Sequence, residues 1–251
     1  MQFLLDIGIL LAAYLFGSIP FGLIVVKLLS GRDIRTVASG RTGGTNAMRA
    51  AGPLAGAMTA ILDVLKAAGM VWLAQALTSS VWIHALAPLA VILGHNYSIF
   101  LIERNPQGRL HLRGGAGGAA TAGGAIGLWP PIAIIFLPLV VLVWYGIGYA
   151  SLMTLSVGLV AIVTFSVRAA LGQGPWEYIL YGVLAEALLL WALRPNLDRL
   201  KRGRERRHGL PAQLRQRRLT RQKAERKARK QTDGHDRDFG PAKHLAIDSG
   251  K

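Results

Sequence analysis

The sequence predicts an all-α integral membrane protein of about seven transmembrane helices, with its N-terminus outside and its C-terminus in the cytoplasm. Three observations lead there. Of 251 residues, 52% are hydrophobic and 30 are glycine, with a mean hydropathy of +0.37, too apolar for one soluble domain. The apolar residues fall into windows of membrane-spanning length separated by polar loops. The charge is segregated: residues 1–193 carry 10 Lys/Arg against 6 Asp/Glu, and residues 194–251 carry 19 against 7. An apolar body, residues 1–206, therefore precedes a basic cytoplasmic tail, residues 207–251, read as partly helical or disordered. Cysteine is absent, which excludes a disulfide framework, a thiolate nucleophile and a Cys-ligated metal. The first apolar segment lacks a basic start and is followed by further apolar runs, so it reads as a retained span rather than a cleaved signal.

The spans fall at residues 3–29, 53–77, 81–101, 117–129, 131–148, 150–171 and 177–193. The fourth is short and rich in Gly and Ala, and Pro130 and Pro131 separate it from the fifth by little more than a turn, so five or six spans stay open. Cations set the orientation. The loop after the first span holds Arg32, Arg35, Arg41 and Arg49, and the loop after the third holds Arg104, Arg109 and Arg113. The loops at 78–80 and 130–131 hold none, so with seven spans both cationic loops and the tail lie inside. Arg168 is the one misplaced cation, and near a helix end it can snorkel to the interface. Within the second span, Asp63 and Lys66 are three apart and share a helix face. An ionisable group in a span costs about 2.5–3.5 kcal/mol on insertion scales, so these two read as an ion pair or as the lining of a polar cavity. Glu186 in the last span has no evident partner.

The loops carry the chemistry. DIRTVASGRTGGTNAMRAAG, residues 33–52, offers glycine backbone whose N–H groups can converge on an anion, hydroxyls from Ser39, Thr42 and Thr45, and guanidinium donors from Arg35, Arg41 and Arg49. That set suits a phosphate. Gly and Ser also make an ordinary turn, and the arginines also obey the positive-inside rule, so composition alone leaves both readings standing. No Gly-Lys-Ser/Thr follows, which disfavours a nucleotide. GHNYSIFLIERNPQGRLHLRGGAGGAAT, residues 94–121, ends the third span with His95 and presents Arg109, His111 and Arg113 before a glycine-rich helix entry, where unpaired N–H groups attract anions. A histidine near the membrane surface is more often structural than catalytic, and the glycines at 123–127 suit close helix packing. The tail opens RPNLDRLKRGRERRHG, with Asn196, Arg199 and Glu205 near the cytoplasmic face; residues 210–231 suit a basic helix on anionic lipid better than a nucleic-acid platform, since no aromatics are interleaved.

Together these stretches resemble one family. GSIPFG (17–22) followed by DIRTVASGRTGGTNAMR (33–49) is similar to its first signature, Gly-Ser-x-Pro-x-Gly leading to Asp-x-Arg-x-x-Gly-Ser-Gly-Asn-x-Gly-Ala-Thr-Asn-x-x-Arg. DVLKA (63–67) resembles its Asp-x-x-Lys-Gly. GH (94–95) with RGGAGGAAT (113–121) resembles its Gly-His and Lys-Gly-Gly-Lys-Gly-x-Ala-Thr, and NLDRLKRGRE (196–205) its closing Asn-Ile-x-Arg-Leu-x-x-Gly-x-Glu. The family is the bacterial membrane acyl-phosphate:glycerol-3-phosphate acyltransferases. The resemblance implies seven spans, and transfer of an acyl group from acyl phosphate to the sn-1 hydroxyl of glycerol 3-phosphate, giving lysophosphatidate and phosphate for phospholipid synthesis. It implies no covalent enzyme intermediate, no cofactor and no metal; the substrate's own phosphate helps remove the hydroxyl proton. Carried over by position, Ser39, Arg49, His95 and Asn196 are the implied catalytic residues; Arg41, Thr45, Asn46, Arg113, Gly114, Gly115 and Glu205 are the implied substrate-binding ones. The implied partners are acyl phosphate, glycerol 3-phosphate and membrane lipid, with no nucleic acid.

Four departures accompany the match. Arg41 stands where the signature has Asn, Ala116 where it has its second Lys, and Leu193 where a His precedes the third motif; IERNPQGR (102–109) is an insertion. They keep a catalytically altered homologue in play. A small transporter or anion-binding membrane protein is the reading from another class, motivated by Asp63, Lys66 and Glu186, although no inverted repeat is visible.

Overall fold

Pro20 divides the first apolar run into α1 (Gln2–Ser18) and α2 (Phe21–Ser30). A proline ring has no N–H and crowds the preceding turn, so α1 stops before it and α2 begins after it. The structure, a computed structural model, describes residues 1–104 and 108–210, and beyond them positions 212, 214, 217, 219, 220, 222 and 225. Gly31, with φ 67°, ends α2 in the left-handed conformation. The first loop then runs to the short α3 (Gly44–Ala51), and Gly52, with φ 90°, turns the chain into α4 (Pro53–Leu77), which starts on proline at its first position.

α5 (Val81–Asn96) is followed by strands β1 (Ile102–Arg104) and β2 (Leu110–Leu112), which pair antiparallel with Ile102 opposite Leu112 and Arg104 opposite Leu110. After α6 (Gly118–Leu128) come a 3-10 turn (Pro130–Ile132), α7 (Ala133–Leu142), a π-helical turn (Val143–Ile147), α8 (Ala150–Ala170) and α9 (Glu177–Lys201).

Five segments among the described residues are long and apolar enough to cross a membrane: Gln2–Ser30, Pro53–Leu77, Pro130–Ile147, Ala150–Ala170 and Glu177–Lys201. Val81–Asn96 and Gly118–Leu128 are apolar but shorter. The third run therefore ends at Asn96 and not near 101. The amide of Ser98 donates to the Arg113 carbonyl (3.0 Å) rather than to a helical partner, so the backbone leaves the helix for the hairpin. α9 runs past 193 to Lys201 in spite of Pro195; the Trp191 carbonyl that Pro195 cannot serve accepts from Arg194 Nε at 3.1 Å.

The two short helices form the centre. α5 and α6 are too short to span a hydrocarbon layer of about 30 Å alone at about 1.5 Å per residue. Most of their side chains are buried against α1, α4, α8 and α9 instead. Large apolar side chains such as Phe3, Leu28, Leu54, Ile134 and Leu137 point outward on the surrounding helices, as expected of a lipid-facing belt. Glycine sets the closest crossing. A Cβ at Gly94 would lie 2.2 Å from the Tyr14 carbonyl oxygen, and one at Gly17 would lie 2.5 Å from that of Val91, so α1 and α5 touch backbone to backbone.

Most of the ionisable groups singled out in the spans have partners. Lys66 Nζ pairs with Asp63 Oδ1 at 2.9 Å, both side chains buried. Arg168 donates to the Gln173 carbonyl and lies over the Trp129 ring, 4.2 Å from its centroid, at the end of α8. Glu186 is buried where α9 crosses Gly158 of α8. In the tail, the described positions between 212 and 225 are helical, and the rest of the 210–231 segment lies outside the described residues.

Gly94→Val is expected to force α1 and α5 apart and to lower the thermal midpoint in detergent, at a cost of at least the ~1–3 kcal/mol of ordinary overpacking. Gly8→Ala on the same α1 meets nothing within 4 Å and should leave the midpoint unchanged or slightly raised, as read by tryptophan fluorescence.

Candidate active site

The first loop is a rigid cradle. Asp33 accepts from the Arg35 amide at 2.9 Å, opening a 3-10 turn over Ile34–Thr36, and the Arg35 guanidinium folds back onto both carboxylate oxygens, Nη2 to Oδ2 at 2.6 Å. Those bonds hold the Asp33 carboxyl at about 2, below the usual 3.8. Asn46, buried on α3, donates its amide to the carbonyls of Ile34 (3.1 Å), Val37 (3.0 Å) and Arg41 (2.8 Å), pinning three points of the loop at once. Between them Ala38 (φ 45°) and Gly40 (φ 67°) reverse the chain and leave Ser39 exposed at the tip. Ala38 is the one non-glycine residue with positive φ among those described, and such a conformation persists only where its surroundings hold it.

The second loop is bolted to the first and to α5. The Thr42 amide donates to the Gly114 carbonyl (3.3 Å), and the Gly115 amide to the His95 carbonyl (2.8 Å). A Cβ on Gly114 would sit 2.2 Å from that same carbonyl oxygen, and one on Gly115 would sit 1.9 Å from His95 Nε2, so these two glycines serve close approach. Behind the ring, His95 Nδ1 lies 3.0 Å from Lys66 Nζ and 3.4 Å from Asp63 Oδ1, and Lys66 also donates to the Ile19 carbonyl at the α1–α2 break (3.2 Å). The inserted segment supplies β1 and, with it, Glu103. Its carboxylate takes Arg35 Nη1 at 3.1 Å and Arg113 Nε at 3.0 Å, fixing a cation from each loop.

Beside this scaffold lies a group of cations without matching carboxylates. Burial lowers the affinity of Arg41 for its proton, and neighbouring Arg199 lowers it further. Burial does the same to Arg49, with Arg206 and Arg199 adding to it. Arg41 donates to the Ala192 carbonyl of α9, Arg199 donates to Asn196 Oδ1 (3.0 Å), and Arg49 places Nη2 2.7 Å from His208 Nε2. Arg49 Nε is buried and has no hydrogen-bond partner among the described residues. Glu205, the nearest acid, is committed elsewhere: its carboxylate accepts from the Ser151 hydroxyl (2.6 Å) and amide (3.3 Å) at the N-terminus of α8. Such a cluster holds positive potential that a bound dianion would neutralise.

The structure thus brings Ser39, Arg41 and Arg113 together around the Gly40 turn, with Arg113 Nη1 3.8 Å from where a Gly40 Cβ would be. Asn196 and Arg49 approach the same cations through Arg199. His95, Gly114 and Gly115 form the floor between the loops. Asn46 and Glu205 spend the atoms described above on the protein itself, and Thr45 is partly buried on the first turn of α3. Sequence reasoning missed Glu103 and His208. The first lay inside an insertion and the second past the last motif; the one available signal was that each stands next to an arginine, Arg104 and Arg207.

Residues 7–203 match the family described as glycerol-3-phosphate acyltransferase. A glycerol-3-phosphate acyltransferase of Rubrobacter xylanophilus is 36% identical over 82% of this chain and 96% of its own length. One from Thermus thermophilus is 38% identical with the same coverage, 82% and 96%. Among solved structures, the glycerol 3-phosphate form of PlsY, an integral membrane glycerol 3-phosphate acyltransferase, superposes with a TM-score of 0.69 at 29% identity, covering 83% of this chain and 98% of that one. Its lysophosphatidic acid form gives 0.66 at 28% identity.

Two outcomes follow from this geometry. A carboxyl depressed from 3.8 to about 2 contributes stability that is complete above 3.8 and is lost as pH falls through about 2. The stability difference between the parent and Asp33→Asn should therefore be flat above that window and shrink only within it, as read by thermal midpoints across pH. Asp63→Asn leaves the Lys66 charge buried against a neutral partner and is expected to cost about 3–5 kcal/mol, whereas Asp63→Asn with Lys66→Met should recover most of the loss.

Proposed function

The chain belongs to the glycerol-3-phosphate acyltransferase family, and from that premise we propose that its two cytoplasmic loops and the end of α9 bind glycerol 3-phosphate and acyl phosphate side by side. It is a multi-pass membrane acyltransferase of phospholipid synthesis whose acceptor is glycerol 3-phosphate. The single observation that carries the assignment of the site is the arginine cluster. Burial and the neighbouring Arg199 lower the proton affinity of both Arg41 and Arg49, Arg206 lowers that of Arg49 further, and the acid beside them is already engaged by Ser151. A phosphate dianion satisfies what those groups lack.

The reaction follows from that placement. The sn-1 hydroxyl oxygen attacks the acyl carbonyl carbon, the new ester C–O bond forms, and the mixed-anhydride bond between the acyl carbon and the bridging oxygen breaks, that oxygen leaving with phosphorus. Inorganic phosphate leaves, and the hydroxyl proton passes to a phosphate oxygen of the substrate. No enzyme nucleophile is needed, because the donor is already activated; the protein supplies proximity and charge. Arg49 and exposed Ser39 grip phosphate, while Arg41, at a position where the family pattern has Asn, and Arg113, where it has its first Lys, supply further cations. His95, held from behind by Lys66 and Asp63, faces the Gly114–Gly115 floor, and Asn196 orients Arg199. Counting the two short helices as membrane-embedded gives seven segments, an outside N-terminus and both loops on the cytoplasmic face, where a soluble phosphate ester meets an acyl chain.

Purified chain given palmitoyl phosphate and glycerol 3-phosphate should release inorganic phosphate and lysophosphatidate in equal amounts, detected by mass spectrometry. Arg49→Ala should lower the rate by roughly ten- to a hundredfold, the loss of a charged hydrogen bond of about 1.5–3 kcal/mol. Arg49→Lys should recover part of it. A parent chain yielding neither product would overturn the assignment.

A further inference from the structure

Past the family's matched residues, 7–203, the chain does not leave the body at once. The His208 amide donates to the Gly148 carbonyl (2.7 Å), and its ring stacks on Trp144 with centroids 4.5 Å apart and planes 20° from parallel. The fit is tight on both sides. A Cβ at Gly148 would lie 2.4 Å from the His208 carbonyl oxygen, and one at Gly209 would lie 2.4 Å from that of Trp144; both glycines have positive φ. Arg207 is held beside it, its Nε 2.7 Å from the Tyr149 hydroxyl. The imidazole so fixed presents Nε2 to Arg49 Nη2 at 2.7 Å. Arginine can only donate, so Nε2 accepts and the ring is neutral, with its proton on Nδ1.

We propose that His208 is a positioning residue for acyl transfer, accepting a hydrogen bond from Arg49 and thereby fixing the orientation in which the guanidinium meets the bound phosphate. The inference rests on the acyltransferase reading above and adds to it a residue outside the matched family region. A guanidinium beside Arg206 and within reach of Arg199 would otherwise be pushed toward solvent by like charge. A neutral acceptor on a stacked ring opposes that push without cancelling the charge that the substrate needs, whereas a carboxylate at that place would compete with phosphate. The charged groups facing the imidazole are Arg49 from α3 and Arg206 and Glu205 from its own segment. Burial first, then Arg49 and Arg206, hold its proton affinity below the usual 6.5. Protonation at low pH removes the acceptor and sets two cations against each other.

The test uses full-length protein, with KM for glycerol 3-phosphate and kcat measured across pH for the parent, His208→Ala and His208→Gln. His208→Ala should raise KM roughly tenfold, the value of one hydrogen bond to a charged group, with kcat little changed. His208→Gln, whose amide oxygen reaches the same place, should restore KM. In the parent, KM should climb as pH falls through the imidazole range; in His208→Gln it should follow only the ionisation of the substrate phosphate. Should His208→Ala fold poorly, His208→Gln and the two pH profiles still decide. A parent that makes no lysophosphatidate overturns the acyltransferase reading and this inference with it. An active parent with unchanged KM in His208→Ala, or the same pH profile in His208→Gln, overturns this inference alone.

Discussion

The bond from the Gly115 amide to the His95 carbonyl is the joint on which the site depends. It forms only because neither Gly114 nor Gly115 carries a side chain, since either Cβ would overlap the backbone or ring of His95. Through it the second loop is seated on α5, and through the Thr42–Gly114 bond the first loop is seated on the second. The His95 ring is in turn trapped between that glycine floor and the buried Asp63–Lys66 pair. A surface loop in a membrane protein would ordinarily be the most mobile part; here the amides of Thr42 and Gly115 donate to the carbonyls of buried Gly114 and His95.

Charge is handled in two opposite ways within a short distance. Asp63 and Lys66, inside a span, are neutralised by each other, because an unpaired charge there is costly. Two of the three residues that motivated a transport reading thereby have a structural use, while Glu186 keeps a buried Oε2 with no hydrogen-bond partner among the described residues. Arg41, Arg49, Arg199 and Arg206 are left with net positive charge, and burial together with these like-charged neighbours lowers the proton affinity of Arg41 and Arg49. Glu103 and Glu205 are spent on holding the frame, one between Arg35 and Arg113 and the other at the start of α8. The acids brace the frame, and the cations keep their charge unneutralised.

The departures from the family pattern make sense in these terms. Arg41 reaches the Ala192 carbonyl on α9, so it ties the first loop to the helix that carries Asn196. The inserted IERNPQGR segment, which in sequence looked like an interruption, contributes the β1 strand and Glu103, the clamp on Arg113. Nothing in the structure accounts for Ala116 replacing a lysine, or for Leu193, which is simply buried on α9.

Hydropathy alone determined that this is a helical membrane protein, where its seven apolar runs lie and which loops are polar, because lipid demands long apolar stretches and confines charge to their ends. The resemblance to the family's signatures, and not spacing alone, pointed to Ser39, Arg49, His95 and Asn196. Sequence marked α6 as short, but it could not tell that α5 stops at Asn96 or that both helices are buried by their neighbours, nor that Asn46 and Glu205 bond to the protein itself. Those facts depend on which backbones approach closely enough for glycine to matter, a property of three-dimensional packing that no one-dimensional pattern records. The same limit hid His208, which acquires its relation to Arg49 only when the chain past α9 folds back onto Trp144.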